Sequence, residues 1–210
     1  MRKFLDNTAY LPYLLIHPFQ GFHEARFRDK GNVLLAAILF VLYGLAQIFA
    51  AQYTGFVANF AHPLGIWSTE LFISGALPVV LFLISNYSVT TLMNGNARFR
   101  DIFIVTCYSL TPLIFFSVLT AIISNVLIIE EIPLLLGFYW IGIVWFLFLL
   151  FAGLCVAHEY TVFQNIAALF LSLVAACIIL FLCMLFIILW DRVVNFFGVV
   201  IFEIIERLRP

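Results

Sequence analysis

Residues 70–113 read ELFISGALPVVLFLISNYSVTTLMNGNARFRDIFIVTCYSLTPL, and this stretch decides the fold. Leu71 to Met93 contains no charged residue. A run of that length exceeds the ~20 helical residues needed to cross a bilayer core of ~30 Å. An uncharged run restarts at Ile102. Between the two lie Asn94, Gly95 and Asn96, residue types that tolerate positive φ in a turn. Arg98, Arg100 and Asp101 follow, so the reading is a membrane hairpin with a short basic tip. Those two arginines are the only Lys or Arg between residues 31 and 191, and they orient the hairpin and with it the chain.

Composition agrees. The chain is 65% hydrophobic and 10% charged, against ~45–50% and ~25% in soluble domains. Its mean hydropathy is +1.16. Such a chain forms one all-α integral membrane domain with five transmembrane helices. An N-terminal cytoplasmic or interfacial segment (1–32) precedes the membrane domain (33–190), and an amphipathic tail (191–210) follows it. The four cysteines all lie in apolar runs without metal-ligand spacing, so they read as small hydrophobes. Arg2 and Lys3 precede a stretch broken by Pro12 and Pro18, which does not read as a cleavable signal peptide.

Working outward, residues 18–30 suit a short interfacial helix, with Pro18 in its first turn and Gly31 after its last. Phe19, Phe22, Arg26 and Phe27 interleave aromatic and basic groups, as on a helix lying among lipid headgroups. The first span starts near Val33 and ends between Tyr53 and Phe60, before the helix-breaking His62-Pro63-Leu64-Gly65. The second covers about 71–92 and contains Pro78; the third covers about 102–123 and contains Pro112. Each Pro frees the carbonyl four residues back, at Ser74 and Tyr108. Ser74, Ser109 and Thr111 are near enough to re-satisfy that backbone, as a membrane interior requires. The fourth and fifth spans cover 134–157 and 166–190, joined by the polar segment 158–165. Ala168, Ser172 and Ala176 form a small-residue seam on the fifth, read as bundle packing with a homodimer seam as the alternative.

Lys and Arg are concentrated in residues 1–32 and in the 94–101 hairpin, which places both in the cytoplasm by the positive-inside rule. The expected location is the cell inner (plasma) membrane, with the N-terminus cytoplasmic. Five spans put the tail outside, against the pull of Arg192, Arg207 and Arg209, a conflict that a re-entrant or sixth segment would resolve.

No Asp, Glu, Lys, Arg or His lies deep in a span. Ion-coupled pumps and voltage sensors depend on such groups, so those classes are disfavoured. No phosphate loop, nucleophile elbow or nucleic-acid patch is present, and no catalytic, cofactor or metal residue is assigned. His23, Glu24, His158 and Glu159 could in principle gather as a Zn²⁺ site, but without the i, i+4 spacing of a helical metal motif.

The segments LPYLLIHPFQGFHEARFRDKGN, SNYSVTTLMNGNARFRDIFIVTCYSLTPLIF, AHEYTVFQN and FEIIERLR together resemble the bacterial branch of the YIP family, named for proteins that interact with Ypt/Rab GTPases. The resemblance implies five spans with a cytoplasmic N-terminus. Eukaryotic relatives sit in secretory-pathway membranes and engage Rab GTPases and one another as adaptors; with no sizeable cytoplasmic N-terminal domain expected here, that role is not carried over. Some bacterial relatives are encoded beside ABC-transporter components, which implies an accessory role.

The expected function is therefore a non-enzymatic adaptor that sits in the lipid bilayer and binds another integral membrane protein, plausibly an ABC transporter, or itself. Its candidate surface comprises His17, Pro18, Phe19, Arg26 and Arg28, then Asn94, Gly95, Arg98, Arg100 and Asp101, then His158, Glu159 and Tyr160. The alternative is a facilitative pathway for a small neutral solute, with Pro78, Asn86, Tyr108 and Pro112 as its polar and kink positions. A metal-dependent membrane enzyme is the weaker alternative.

Overall fold

A computed structural model describes residues 10–28, 30–56, 58 and 67–208, with the backbone alone at 200, 202–206 and 208. The expectations for Arg2, Lys3, Arg209 and the break at His62-Pro63-Leu64-Gly65 lie outside those residues.

Two short helices, α1 (Tyr10–Ile16) and α2 (Pro18–Phe27), precede α3 (Val33–Tyr53) and α4 (Ser68–Leu92). Then come α5 (Phe99–Ser109), α6 (Thr111–Ile123), a 3₁₀ turn at Ile129–Glu131, α7 (Ile132–His158) and α8 (Val162–Leu208). Five helical stretches are long and apolar enough to cross a membrane, with α5 and α6 together making the third. No strand occurs among the described residues.

The third span is the centre. Ile102, Cys107 and Tyr108 are fully buried in it, and Leu149 of α7 is fully buried against the same core. It packs on α3 and α7, while α4 packs on α3 and carries α8 on its outer side. The Tyr108 hydroxyl accepts from the Asn32 backbone N–H at 3.1 Å, just where the Asn32 side chain caps α3 by accepting from Leu34 N–H at 2.9 Å. A buried phenol on one helix thus fixes the first turn of another.

The two internal prolines act differently. Pro78 lies within an uninterrupted α4. Pro112 sits in the first turn of α6, and the third span is interrupted at Leu110, which keeps near-helical dihedrals (φ −68°, ψ −14°). Thr111 Oγ1 donates to the Tyr108 carbonyl at 2.7 Å, as the sequence predicts. Ser74 and Ser109 do not take that part, because their hydroxyls go to the Leu71 and Val105 carbonyls.

Three further expectations need correction. The N-terminal segment is not only a headgroup anchor: Phe22 of α2 is buried against Gly153 of α7, while Phe19 and Phe27 stay exposed. The 158–165 connection is shorter than its polarity suggests, since α8 begins at Val162. The tail is helical but continuous with the fifth span, and no re-entrant turn occurs among the described residues. Asp191 and Arg192 lower the hydropathy after Trp190, but nothing there opposes helix formation, and the apolar helix runs on to Val199. At 47 residues α8 is about 70 Å long, over twice the hydrocarbon thickness. The Ala168/Ser172 seam is buried and faces α4, where Asn86 Nδ2 donates to Ser172 Oγ at 3.1 Å.

Gly153 permits a close approach in the core: a Cβ there would lie 2.5 Å from Val105 Cγ1 and 3.0 Å from Phe22 Cε2. A Cβ at Gly137 of the same helix meets nothing within 4 Å. Gly153→Ala should therefore cost about 1–3 kcal/mol by overpacking, whereas Gly137→Ala should be neutral or gain up to about 1 kcal/mol. Equilibrium unfolding in mixed detergent micelles measures both.

Candidate interaction surface on one polar face

One guanidinium assembles this face. Arg26 of α2 donates through Nη1 to the Val156 carbonyl at 3.0 Å and to the Ala157 carbonyl, both at the C-terminal end of α7. Its Nη2 donates to the Asn96 carbonyl at 3.1 Å and pairs with Glu159 Oε1 at 3.2 Å. The last turn of a helix leaves its carbonyls without intrahelical donors. A planar fork can serve several acceptors at once, which an ammonium cannot do with the same geometry. The α2 helix, the 94–101 hairpin and the α7 end are thereby held together on one side of the bundle. The opposite side is fixed independently: Gly55 N–H donates to Ser124 Oγ at 2.8 Å and Asn125 Nδ2 to the Tyr53 carbonyl at 2.9 Å.

Glu159 stands immediately after α7 with φ 57°, a left-handed conformation usually left to Gly or Asn. Its backbone N–H donates to the Val156 carbonyl at 3.4 Å and its carboxylate pairs with Arg26. At the other turn it is Asn94 that takes positive φ, at 55°, and no described glycine does. Gly95 is required by crowding instead: a Cβ there would come within 2.6 Å of His158 Nδ1 and 2.7 Å of the Tyr160 hydroxyl.

His158 is buried, and neither ring nitrogen has a hydrogen-bond partner. Its ring stacks on Tyr160 with centroids 5.0 Å apart. The Tyr160 hydroxyl reaches the Met93 and Thr90 carbonyls at 3.3 and 3.4 Å, and burial pushes its pKa up. The hairpin is thus packed against the α7 end by an aromatic stack as well as by Arg26.

Charge on the face is divided. Glu24 accepts from Lys30 Nζ at 2.6 Å and from Arg28 Nη1 at 3.2 Å. The Lys30 hydrogen bond, more than any other influence, holds the Glu24 carboxyl below its usual range. Arg98 and Arg100 are exposed and make no ion pair among the described residues. Asp101 turns its carboxylate to the Arg98 backbone N–H at 3.1 Å, capping α5.

His17, Pro18 and Phe19 do not join this cluster. They lie at the α1–α2 junction, where His17 stacks near Tyr13 at 5.3 Å and Phe19 lines a separate shallow cleft with His23, Glu24 and Arg28. His23 packs on Phe27, so His23, Glu24, His158 and Glu159 each have other engagements, and no three potential metal ligands gather among the described residues. Of the positions proposed for a solute path, Pro78 lines an apolar cavity of about 530 Å³. Asn86 and Tyr108 are fully buried in helix contacts and Pro112 opens α6.

Sequence reading missed the main-chain acceptors Asn96, Val156 and Ala157, which carry no residue signature. It also missed Asn165, whose buried amide donates to the Phe151 carbonyl at 2.9 Å and locks the α7–α8 turn.

Arg26→Ala should destabilise the protein by about 3 kcal/mol, because three carbonyls, two of them in part-buried contacts, lose charge-assisted donors at once. Arg26→Lys should restore only part of that. Arg28→Ala, at an exposed i, i+4 pair, should change stability by under about 0.5 kcal/mol. Micelle unfolding curves of the three variants separate these outcomes.

Comparison with known families matches residues 13–184 to the Yip1 domain. No curated protein and no solved structure matches the chain. The match runs from α1 through the first half of α8 and takes in both helical turns that Arg26 ties together. With most of its length matched and five helices able to span a bilayer, the chain belongs to the Yip1 domain family as a multi-pass membrane protein.

Proposed function

We propose that the protein is a non-enzymatic membrane adaptor that binds another integral membrane protein, with an ABC transporter component as the first partner to test. The observation that carries this reading is the polar face held together by Arg26. It presents Arg98, Arg100 and the hairpin on a preorganised surface, so little loop ordering would be spent on association. Within the described spans, Asp, Glu, Lys, Arg and His occur only near the ends, at Glu70, Arg100, Asp101, Glu130, Glu131 and His158, and again at Asp191 and Arg192. That distribution suits a scaffold better than an ion-coupled carrier. Members of the family are membrane proteins not known as enzymes.

A second reading is favoured by one feature, the cavity beside Pro78. Its walls come from α3, α4, α5, α6, α7 and α8, and its lining is overwhelmingly apolar. It would admit a lipid-soluble molecule more readily than a polar one. Flux of a neutral solute into liposomes above the rate of empty vesicles supports that reading, and flux equal to theirs removes it.

Mild-detergent extraction should recover the protein with a stoichiometric membrane partner, and Arg98→Glu with Arg100→Glu should release that partner without unfolding the bundle. Recovery of the protein alone, with no transport or growth defect in the variant, would sink the adaptor reading. The same reading has the Arg26 face in the cytoplasm of a cell whose inner membrane holds the protein. A cysteine at Asn94 should then react with a membrane-impermeant maleimide only after cells are opened. One at the exposed Val126, on the opposite side, should react in intact cells.

A further inference from the structure

Between α2 and the hairpin lies a small cavity of about 270 Å³, lined by Arg26, Arg98, Arg100, Asp101 and Asn96, with Gly31 at its edge. Three guanidiniums face one space with one carboxylate. Arg26 is neutralised by Glu159 and its donors are already spent on carbonyls. The Asp101 carboxylate is engaged by a backbone N–H. Arg98 and Arg100 remain: among the described residues neither forms an ion pair, and the only hydrogen bond from either side chain is a long one, 3.5 Å from Arg100 Nη2 to the Gly31 carbonyl. Elsewhere on this face the cations are paired, since Arg28 and Lys30 both converge on Glu24. Like charges brought to one cavity repel and are held together at a cost, and an anion between them reverses the sign of that cost.

We infer that this cavity binds a phosphate ester anion, with the Arg98 and Arg100 guanidiniums as its ligating groups and Arg26 as the fixed wall that positions them. The location favours a lipid as the source. The hairpin joins two membrane spans, so the cavity opens at headgroup level, where arginines near the surface attract anionic phospholipid. A planar guanidinium matches a phosphate through paired N–H···O bonds, and two of them cover a singly charged phosphodiester without a metal. Asp101 adds selectivity against a second negative charge. This inference stands apart from the adaptor reading: it concerns a small anion and holds whether or not a protein partner exists.

The test uses the purified full chain in detergent micelles, followed by native mass spectrometry with three probes. These are dioleoyl phosphatidylglycerol, dioleoyl phosphatidylcholine (whose trimethylammonium offsets its phosphate) and inorganic phosphate. Phosphatidylglycerol should bind more tightly than phosphatidylcholine. Arg98→Gln with Arg100→Gln should weaken it about tenfold or more. Arg28→Gln with Lys30→Gln removes the same charge from the same face outside the cavity and should change binding less than twofold. Arg98→Lys with Arg100→Lys, which keeps charge and fold, should retain intermediate affinity. Inorganic phosphate that binds with the same arginine dependence, while the lipid does not, assigns the site to a free phosphate instead. Equal binding of all probes to wild type and to the Gln pair overturns the inference, as does an equal loss from the Arg28/Lys30 pair.

Discussion

The end of a helix is an unfinished object, with carbonyls that point along the axis and have no donor in their own turn. In water the solvent completes it; beside a bilayer the protein must do so. Here the fourth span ends at His158, and two of its last carbonyls, those of Val156 and Ala157, are completed by a side chain 130 residues away. Because Arg26 also holds the Asn96 carbonyl and Glu159, one interaction sets three elements in register. The burial of Phe22 against Gly153 and the stacking of His158 on Tyr160 are the packing that this register makes possible.

The same demand for internal partners governs the polar residues within the spans. Thr90, Thr106, Ser109 and Ser117 each donate to a carbonyl three or four residues back on their own helix. Their hydroxyls are engaged and unavailable as a chain of stepping stones for a solute. Asn86 differs: its amide nitrogen reaches Ser172 on another helix, and Ser172 in turn donates to Ala168. That order of donors fixes the amide with its oxygen unpartnered, so the contact joins α4 to α8 at the cost of one unsatisfied acceptor. Of these side chains the hydroxyls of Thr90, Thr106, Ser109 and Ser117 are spent within their own helices, and it is Asn86 that joins two helices.

Much of the fold is legible because the bilayer imposes a length and a polarity on every crossing segment. Uninterrupted runs such as 71–93 announce a span whatever their packing, and Arg98 with Arg100 announce the hairpin tip. Less was legible where hydropathy and helicity part company. The polar residues at 162–165 and 191–195 lower hydropathy yet continue α8, because a helix ends for backbone reasons and none is present there. Pro78 and Pro112 look alike in sequence, but their outcomes depend on neighbours: Thr111 supplies a donor to the Tyr108 carbonyl and the chain restarts a helix there, while α4 carries Pro78 without stopping. At the candidate surface the charged residues were visible as types, whereas the acceptors that organise them were main-chain carbonyls, invisible to any reading of side chains.

What distinguishes this face from an ordinary basic collar is the allocation of its countercharges. A collar that only orients the protein needs lysines and arginines near the membrane, with no particular partners. Here Glu24 serves Arg28 and Lys30, and Glu159 serves Arg26. Asp101, which shares the turn of Arg98 and Arg100, is committed to a backbone cap. Among the described residues those two cations have no ion-pair partner; they stand at the tip of the hairpin and beside a cavity, held by a turn whose geometry depends on Asn94, Gly95 and the ring stack beneath it. Spare charge on a rigid turn is positioned to meet an anion, and both that geometry and its exposure follow from the guanidinium that closes the neighbouring helix.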